Sequence, residues 1–136
     1  MLEQTDILVP MVMQMILMII VAFWLVWARV GSVARGKVIM EDVAREGWKG
    51  WIKQAGDNYS NQFELPVLFF AACLVLFVTN NVSEHAVHLA WAFVVLRIIH
   101  AFVHLTFNHI LARFVVFFLG AIALMALVWL CAMAVF

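Results

Sequence analysis

The sequence predicts an all-α membrane protein, an antiparallel bundle of four transmembrane helices. Of its 136 residues, 68% are hydrophobic and only 12% are charged, and the mean hydropathy is +1.09. Soluble domains carry about 45–50% apolar and about 25% charged residues, so this composition lies outside their range. Four apolar stretches also follow one another along the chain, each close to or above the ~20 residues that a membrane-spanning helix needs.

These stretches form one predicted domain that covers residues 1–136. The predicted spans are about 7–33, 57–80, 84–108 and 111–135, and a polar loop at 34–56 separates the first from the second. The first span follows the acidic residues Glu3 and Asp6 and is longer than a signal-peptide core. We therefore expect it to remain in the mature protein.

Basic residues are concentrated on one side of the predicted membrane. The loop at 34–56 carries five of the eight, namely Arg35, Lys37, Arg45, Lys49 and Lys53. The positive-inside rule places such a loop in the cytoplasm, which puts both termini outside. The formal net charge is zero, so nothing indicates a nucleic-acid partner.

The same loop has a helical amphipathic pattern. One face is apolar and consists of Ala44, Trp48, Trp51, Ile52 and Ala55. Another face is basic and consists of Arg45, Lys49 and Lys53. The pattern is typical of a helix that lies on anionic headgroups, and it also fits a lid over a site at the inner membrane surface.

The third span carries a polar stripe in otherwise apolar surroundings. At about 100° per residue, one helix face about 80° wide holds Arg97, His100, His104 and Asn108. An ionisable group inside a bilayer costs about 2.5–3.5 kcal/mol or more, and it normally faces protein or a watered cavity. We therefore expect this stripe to face the bundle interior and to mark a functional site.

The second span has its polar residues at the cytoplasmic end. Asp57, Asn61 and Glu64 share one face, and Pro66 removes the hydrogen bond that would reach the carbonyl of Gln62. The result is either a simple kink or a free acceptor in the membrane. Since the second and third spans are antiparallel neighbours, we predict a Glu64–Arg97 ion pair. The alternative is that these groups only satisfy one another as contacts between helices.

Metal and thiol chemistry have little support in the sequence. Two histidines four residues apart can hold a metal or a haem, but Arg97 stands three residues before His100 and would repel a divalent ion. We predict no metal site. Cys73 and Cys131 lie in apolar runs without CxxC spacing, which favours core or lipid-facing residues over a disulfide or a reactive thiol.

Two of these motifs resemble the MAPEG family, the membrane-associated proteins of eicosanoid and glutathione metabolism. In the second span the family carries Asn-x-x-Glu followed shortly by Pro, which Asn61, Glu64 and Pro66 match. In the third span it carries Arg-x-x-(Tyr or His)-x-x-x-Tyr. The residues at those positions here are Arg97, His100 and His104. The resemblance extends over the whole chain and suggests a bacterial-type member in the inner membrane.

The resemblance implies a homotrimer among membrane lipids, with glutathione bound near the cytoplasmic face between neighbouring subunits. The implied glutathione-binding residues are Arg29, Lys53, Asn61, Glu64 and Arg97. The implied catalytic residues are Arg113, which would stabilise the thiolate, together with His100 and His104. The implied activity is that of a transferase or peroxidase acting on a lipophilic substrate.

Some positions depart from the family pattern. Many members have an arginine where this chain has Asp57, and His104 replaces a tyrosine. Lys53, four residues before Asp57, is the candidate substitute for the missing arginine. A non-catalytic scaffold that binds a lipid or another anion is therefore the alternative function. A channel is disfavoured because the outer halves of the spans lack the charges of a through-path.

Overall fold

The computed structural model describes residues 3–136. A 3-10 turn at Gln4–Ile7 leads into helices α1 (Leu8–Ala34), α2 (Met40–Glu46), α3 (Gly50–Ser60), α4 (Leu65–Val78), α5 (Glu84–Leu105) and α6 (Ile110–Val135). Within the described residues, four helical stretches are long and apolar enough to cross a membrane, namely Gln4–Ala34, Gly50–Val78, Glu84–Leu105 and Ile110–Val135. The prediction of an all-α protein with four candidate spans is confirmed.

The second stretch is two helices rather than one kinked helix. α3 ends at Ser60 and α4 begins at Leu65, and we call residues 61–64 between them the break segment. Pro66 lies in the first turn of α4. A backbone N–H in the first turn would have no acceptor within the helix, so the helix loses nothing by having proline there. The proline therefore begins a new helix after a complete break.

The amphipathic stretch after α1 also differs from its prediction. Gly47 and Gly50 have positive φ angles of 75° and 57°, which glycine adopts at low cost, and they separate α2 from α3. The predicted single interfacial helix is therefore wrong. Ile52 and Ala55 are buried, so the apolar face of α3 packs into the bundle.

The two ends of the bundle differ in charge. We call the end at which α1 ends and α3 begins the basic end, and the opposite end, which carries Glu3, Asp6 and Glu84, the acidic end. At the acidic end the Ser83 hydroxyl accepts a hydrogen bond from the N–H of Ala86 at 3.2 Å. Ser83 is therefore the N-cap of α5, a position at which serine is preferred.

An apolar core fills the bundle between the acidic end and the break segment. Phe69 of α4 and Phe93 of α5 are fully buried and stack with ring centroids 4.6 Å apart. Cys73 and Cys131 are free, buried thiols in this core, and Cys131 Sγ donates to the carbonyl of Ala72 at 3.1 Å.

Candidate functional site

The polar stripe of α5 lies inside the bundle. Arg97, His100 and His104 expose only 1%, 2% and 1% of their surface. Asn108 does not belong to the stripe, because α5 ends at Leu105 and Asn108 adopts a positive φ of 46° in the following turn. The stripe therefore consists of three residues, all of them buried.

Arg97 binds the break segment through the backbone. Its Nη2 donates to the carbonyl oxygen of Asn61 at 2.6 Å. A backbone carbonyl freed by a helix break needs such a donor inside a membrane. The sequence predicted a free carbonyl beside Pro66, and the acceptor that Arg97 uses is one residue before the expected Gln62.

The predicted Glu64–Arg97 ion pair is wrong. Among residues 3–136, the side-chain ion pairs within 4 Å are Lys49–Glu46 and Lys53–Asp57. Glu64 stands at the N-cap of α4 and is exposed. The reason is the break: a continuous helix would turn Glu64 towards α5, whereas the break segment presents its carbonyl there.

A cavity of about 260 Å³ lies where the break segment meets α5 and α6. Its lining consists of Asn61, Glu64, His100, Ile110, Arg113, Phe114 and Phe117. Pockets for small ligands usually measure about 300–1,000 Å³, so this cavity is slightly smaller than a typical ligand site. Four of the sequence-predicted site residues thus meet at one place, namely Asn61, Glu64, His100 and Arg113.

Arg113 supplies a positive charge to this cavity from the first turn of α6. Its Nη1 donates to Asn108 Oδ1 at 3.0 Å, so the turn that carries Asn108 orients the guanidinium. The other guanidinium N–H groups form no hydrogen bond within the described residues. Arg113 can therefore donate to an anion in the cavity.

The two histidines lie close together, and neither is fully hydrogen-bonded. Their rings lie 5.8 Å apart, centroid to centroid, and the His100 ring lies 5.7 Å from that of Phe117. The Nδ1 atom of each is buried without a partner among the described residues. Within residues 3–136, no cluster of three or more His, Cys, Asp or Glu side chains could hold a metal ion.

Arg29 and Lys53 do not line this cavity. The Arg29 guanidinium carbon lies 5.1 Å from the centroid of the Trp48 ring. Lys53 Nζ forms an ion pair with Asp57 Oδ2 at 2.7 Å, and both side chains are more than half exposed. The two basic residues therefore belong to the surface that α1 and α3 share at the basic end.

Sequence reasoning overlooked three buried carboxamides beside the site. Gln14, Asn58 and Gln62 are each 0% exposed. Gln14 Nε2 donates to Gln62 Oε1 at 3.2 Å, Gln62 Nε2 to Asn58 Oδ1 at 3.4 Å, and Asn58 Nδ2 to the carbonyl of Ala101 at 3.3 Å. The sequence holds two signals for these carboxamides. Gln14 is a glutamine inside an apolar span, and Asn58 and Gln62 are two amides four residues apart.

Comparison with known proteins supports the motif resemblance. The profile of the MAPEG family matches residues 7–133 of the 136-residue chain. Searches of curated proteins and of solved structures find no match. Since the matched region covers nearly all of the four candidate spans and includes the lining of the cavity, the chain belongs to the MAPEG family.

Proposed function

We propose that this protein is a glutathione-dependent membrane enzyme, a transferase or peroxidase that acts on lipophilic electrophiles. The observation that carries the proposal is the cavity in which Arg113 and His100 meet Asn61 and Glu64. It combines a cation with free donors, an exposed carboxylate and an aromatic wall. A peptide with both positive and negative groups and a reactive thiol matches that set.

In this proposal, Arg113 stabilises the thiolate of glutathione. A thiol with an ordinary pKa of about 8.5 becomes a good nucleophile at neutral pH when a fixed cation stabilises its anion. The sulfur then forms a bond to the electrophilic atom of the substrate, and the leaving group departs with the electron pair. His100, which lines the cavity, donates or accepts a hydrogen bond beside the reacting sulfur. His104 does not line the cavity, and it acts from behind His100, whose ring lies 5.8 Å from its own.

The remaining residues of the cavity hold the tripeptide. The Glu64 carboxylate accepts from its ammonium group, and the Asn61 side chain provides a neutral amide for its backbone. Arg97 stabilises this arrangement from behind, because its guanidinium binds the carbonyl of Asn61 at 2.6 Å. The apolar side chains of Phe114 and Phe117 offer a surface to the lipophilic substrate.

We further propose a homotrimer in which the site is completed by a neighbouring subunit. The cavity of about 260 Å³ is small for a tripeptide, and Arg29 and Lys53 lie on a different surface. A neighbour would bring its own Arg29 and Lys53 towards the cavity of this subunit. Glutathione would thus contact basic residues from both chains.

We base the proposed membrane orientation on charge. The basic end carries Arg29, Arg113 and all the basic residues of the loop after α1, so it faces the cytoplasm and both termini lie outside. For a bacterial-type member this membrane is the inner membrane, and the substrate enters from the lipid.

The test is glutathione titration of the detergent-purified protein, followed by thiolate absorbance in the far ultraviolet. Arg113→Ala should weaken the thiolate signal and lower turnover much more than it weakens binding, because the lost interaction serves the ionised sulfur. Arg45→Ala, which removes an exposed cation of α2, is the matched control. Bound glutathione without any thiolate signal in the wild type near neutral pH would remove the enzyme proposal.

One observation favours a second candidate, a non-catalytic protein that binds an anionic lipid. Asp57 occupies the position where many family members carry an arginine, and it pairs with Lys53. The positive charge that the second carboxylate of glutathione would need is therefore cancelled. Arg113 remains as the cation of the cavity, and it can bind a single anionic group such as a lipid phosphate. If the wild type binds an anionic phospholipid in the cavity and does not bind glutathione, this second function replaces the first.

A further inference from the structure

The break segment is held by side chains that lie outside the cavity. A helix break inside a membrane leaves backbone groups that neighbouring helices must satisfy. Arg97 of α5 serves the carbonyl of Asn61 at 2.6 Å. Gln62, the next residue, is held by its side chain, which accepts from Gln14 and donates to Asn58.

These carboxamides form a continuous chain of hydrogen bonds with one direction. The donors run from Gln14 of α1 to Gln62, from Gln62 to Asn58 of α3, and from Asn58 to the carbonyl of Ala101 on α5. We call the three side chains the amide chain. It is wholly buried and uncharged, so it avoids the desolvation cost of an ion pair. Hydrogen bonds of this kind are strengthened in a medium of low dielectric constant.

We propose that the amide chain positions Asn61 and Glu64 for ligand binding, although none of its members lines the cavity. Gln62 lies one position after Asn61 and two positions before Glu64. Fixing the Gln62 side chain therefore fixes the backbone that carries both residues. Simple adhesion between helices would not need an amide in the break segment, where Gln62 lies. As a role in glutathione binding, this inference rests on the proposed function.

The first measurement does not depend on glutathione. The N–H groups of Gln62 and Phe63 donate within the turn to Tyr59 and Ser60 at 3.0 Å and 2.9 Å, so their hydrogen exchange reports on the order of the break segment. Gln14→Met keeps the length of the side chain and removes its donor. We expect exchange of these two amides to rise about fivefold, the change that loss of one buried hydrogen bond produces.

Two further variants separate positioning from general stability. Gln14→Asn retains a carboxamide on a shorter side chain and should restore part of the protection. It also serves if Gln14→Met does not fold. Leu127→Ala removes a buried apolar contact of α6 in the core around Phe69 and Phe93, away from the amide chain. It should lower the thermal midpoint and leave the relative exchange of Gln62 and Phe63 unchanged.

The second measurement is glutathione affinity and turnover. Gln14→Met should raise the Kd and KM for glutathione about fivefold while kcat changes little, because Arg113 and the histidines remain in place. Unchanged exchange in the break segment in both Gln14 variants would overturn the inference. Faster exchange with unchanged affinity would overturn the role in binding. If the wild type does not bind glutathione, the proposed function fails, and the exchange result alone decides whether the amide chain positions the break segment.

Discussion

The two halves of the bundle differ in the polarity of their interiors. Between the acidic end and the break segment, the core contains apolar side chains such as Phe69, Phe93 and Leu127, packed around small alanines. From the break segment towards the basic end, the interior contains Arg97, two histidines and the amide chain. The first half contains apolar side chains, which a lipid environment favours. The second half contains ionisable and polar side chains, which such an environment disfavours most.

The difference also appears in hydrogen bonding. The described residues include six buried side-chain nitrogen or oxygen atoms without a partner, on Gln14, Arg29, Arg97, His100 and His104. All of them lie at the level of the break segment or closer to the basic end. Each such atom costs about 1–3 kcal/mol unless a water or a ligand satisfies it. The apolar half therefore provides stability, and the polar half contains unsatisfied groups that cost stability.

The largest expected effect on stability is in the apolar half. Phe93→Ala should lower the free energy of unfolding by about 3 kcal/mol, since it empties the space beside Phe69. Phe23→Ala is the matched control, because Phe23 is 71% exposed and should change stability by less than about 0.5 kcal/mol. Equilibrium unfolding in mixed detergent micelles measures both. An equal loss in the two variants would show that Phe93 is not a core residue.

The polar half was only partly predictable, and the reason lies in the backbone. Helical periodicity correctly turned Arg97, His100 and His104 inwards, because α5 is regular through these positions. The same periodicity failed for Glu64, since the second span breaks just before it. A proline in an apolar segment indicates that a hydrogen bond is missing, but the pattern alone does not say whether the helix bends or stops.

The amide chain was missed for a different reason. Glutamine and asparagine are uncharged, so they do not stand out in a count of ionisable residues, and their partners are distant in sequence. Gln14 and Gln62 are 48 positions apart, and only the packing of α1 against the break segment brings them together. The apolar half, in contrast, followed from composition and helix length, because burial there requires no specific partner.

The next effect tests the polar half directly through Arg97. Arg97→Met leaves a neutral carbonyl, that of Asn61, without its donor, so the expected loss is about 1–3 kcal/mol. With Glu64→Gln as the second substitution, the coupling energy should stay below about 1 kcal/mol, since the two opposite charges attract each other but form no ion pair. A double-mutant cycle measures the coupling. A value well above 1 kcal/mol would restore the ion pair between Arg97 and Glu64.

A smaller effect compares two glycines, one from each half. A methyl group on Gly56 would lie 3.2 Å from Arg29 Nη2, whereas one on Gly120 would meet only Leu96 Cβ at 3.8 Å. Both substitutions gain helix propensity, about 1 kcal/mol at most. Gly56→Ala should lose part of this gain, because Arg29 must move from its position over Trp48. Thermal unfolding should therefore rank Gly120→Ala above Gly56→Ala, and the reverse order would contradict the placement of Arg29.

The smallest effect concerns the surface of the polar half. Asp57→Asn breaks an exposed ion pair, and such pairs are worth about 0–1 kcal/mol, so stability should hardly change. The substitution frees Lys53 and removes a negative charge near an anionic tripeptide. At a separation of about 10 Å in water, one charge contributes about 0.4 kcal/mol, so glutathione affinity should rise about twofold. The gain should vanish at high salt, where exposed charges are screened.

Glu46→Gln, which frees Lys49 on the neighbouring segment, is the control and should leave the affinity unchanged. Equal gains in the two variants would mean that only net charge matters and that Asp57 has no particular relation to the site.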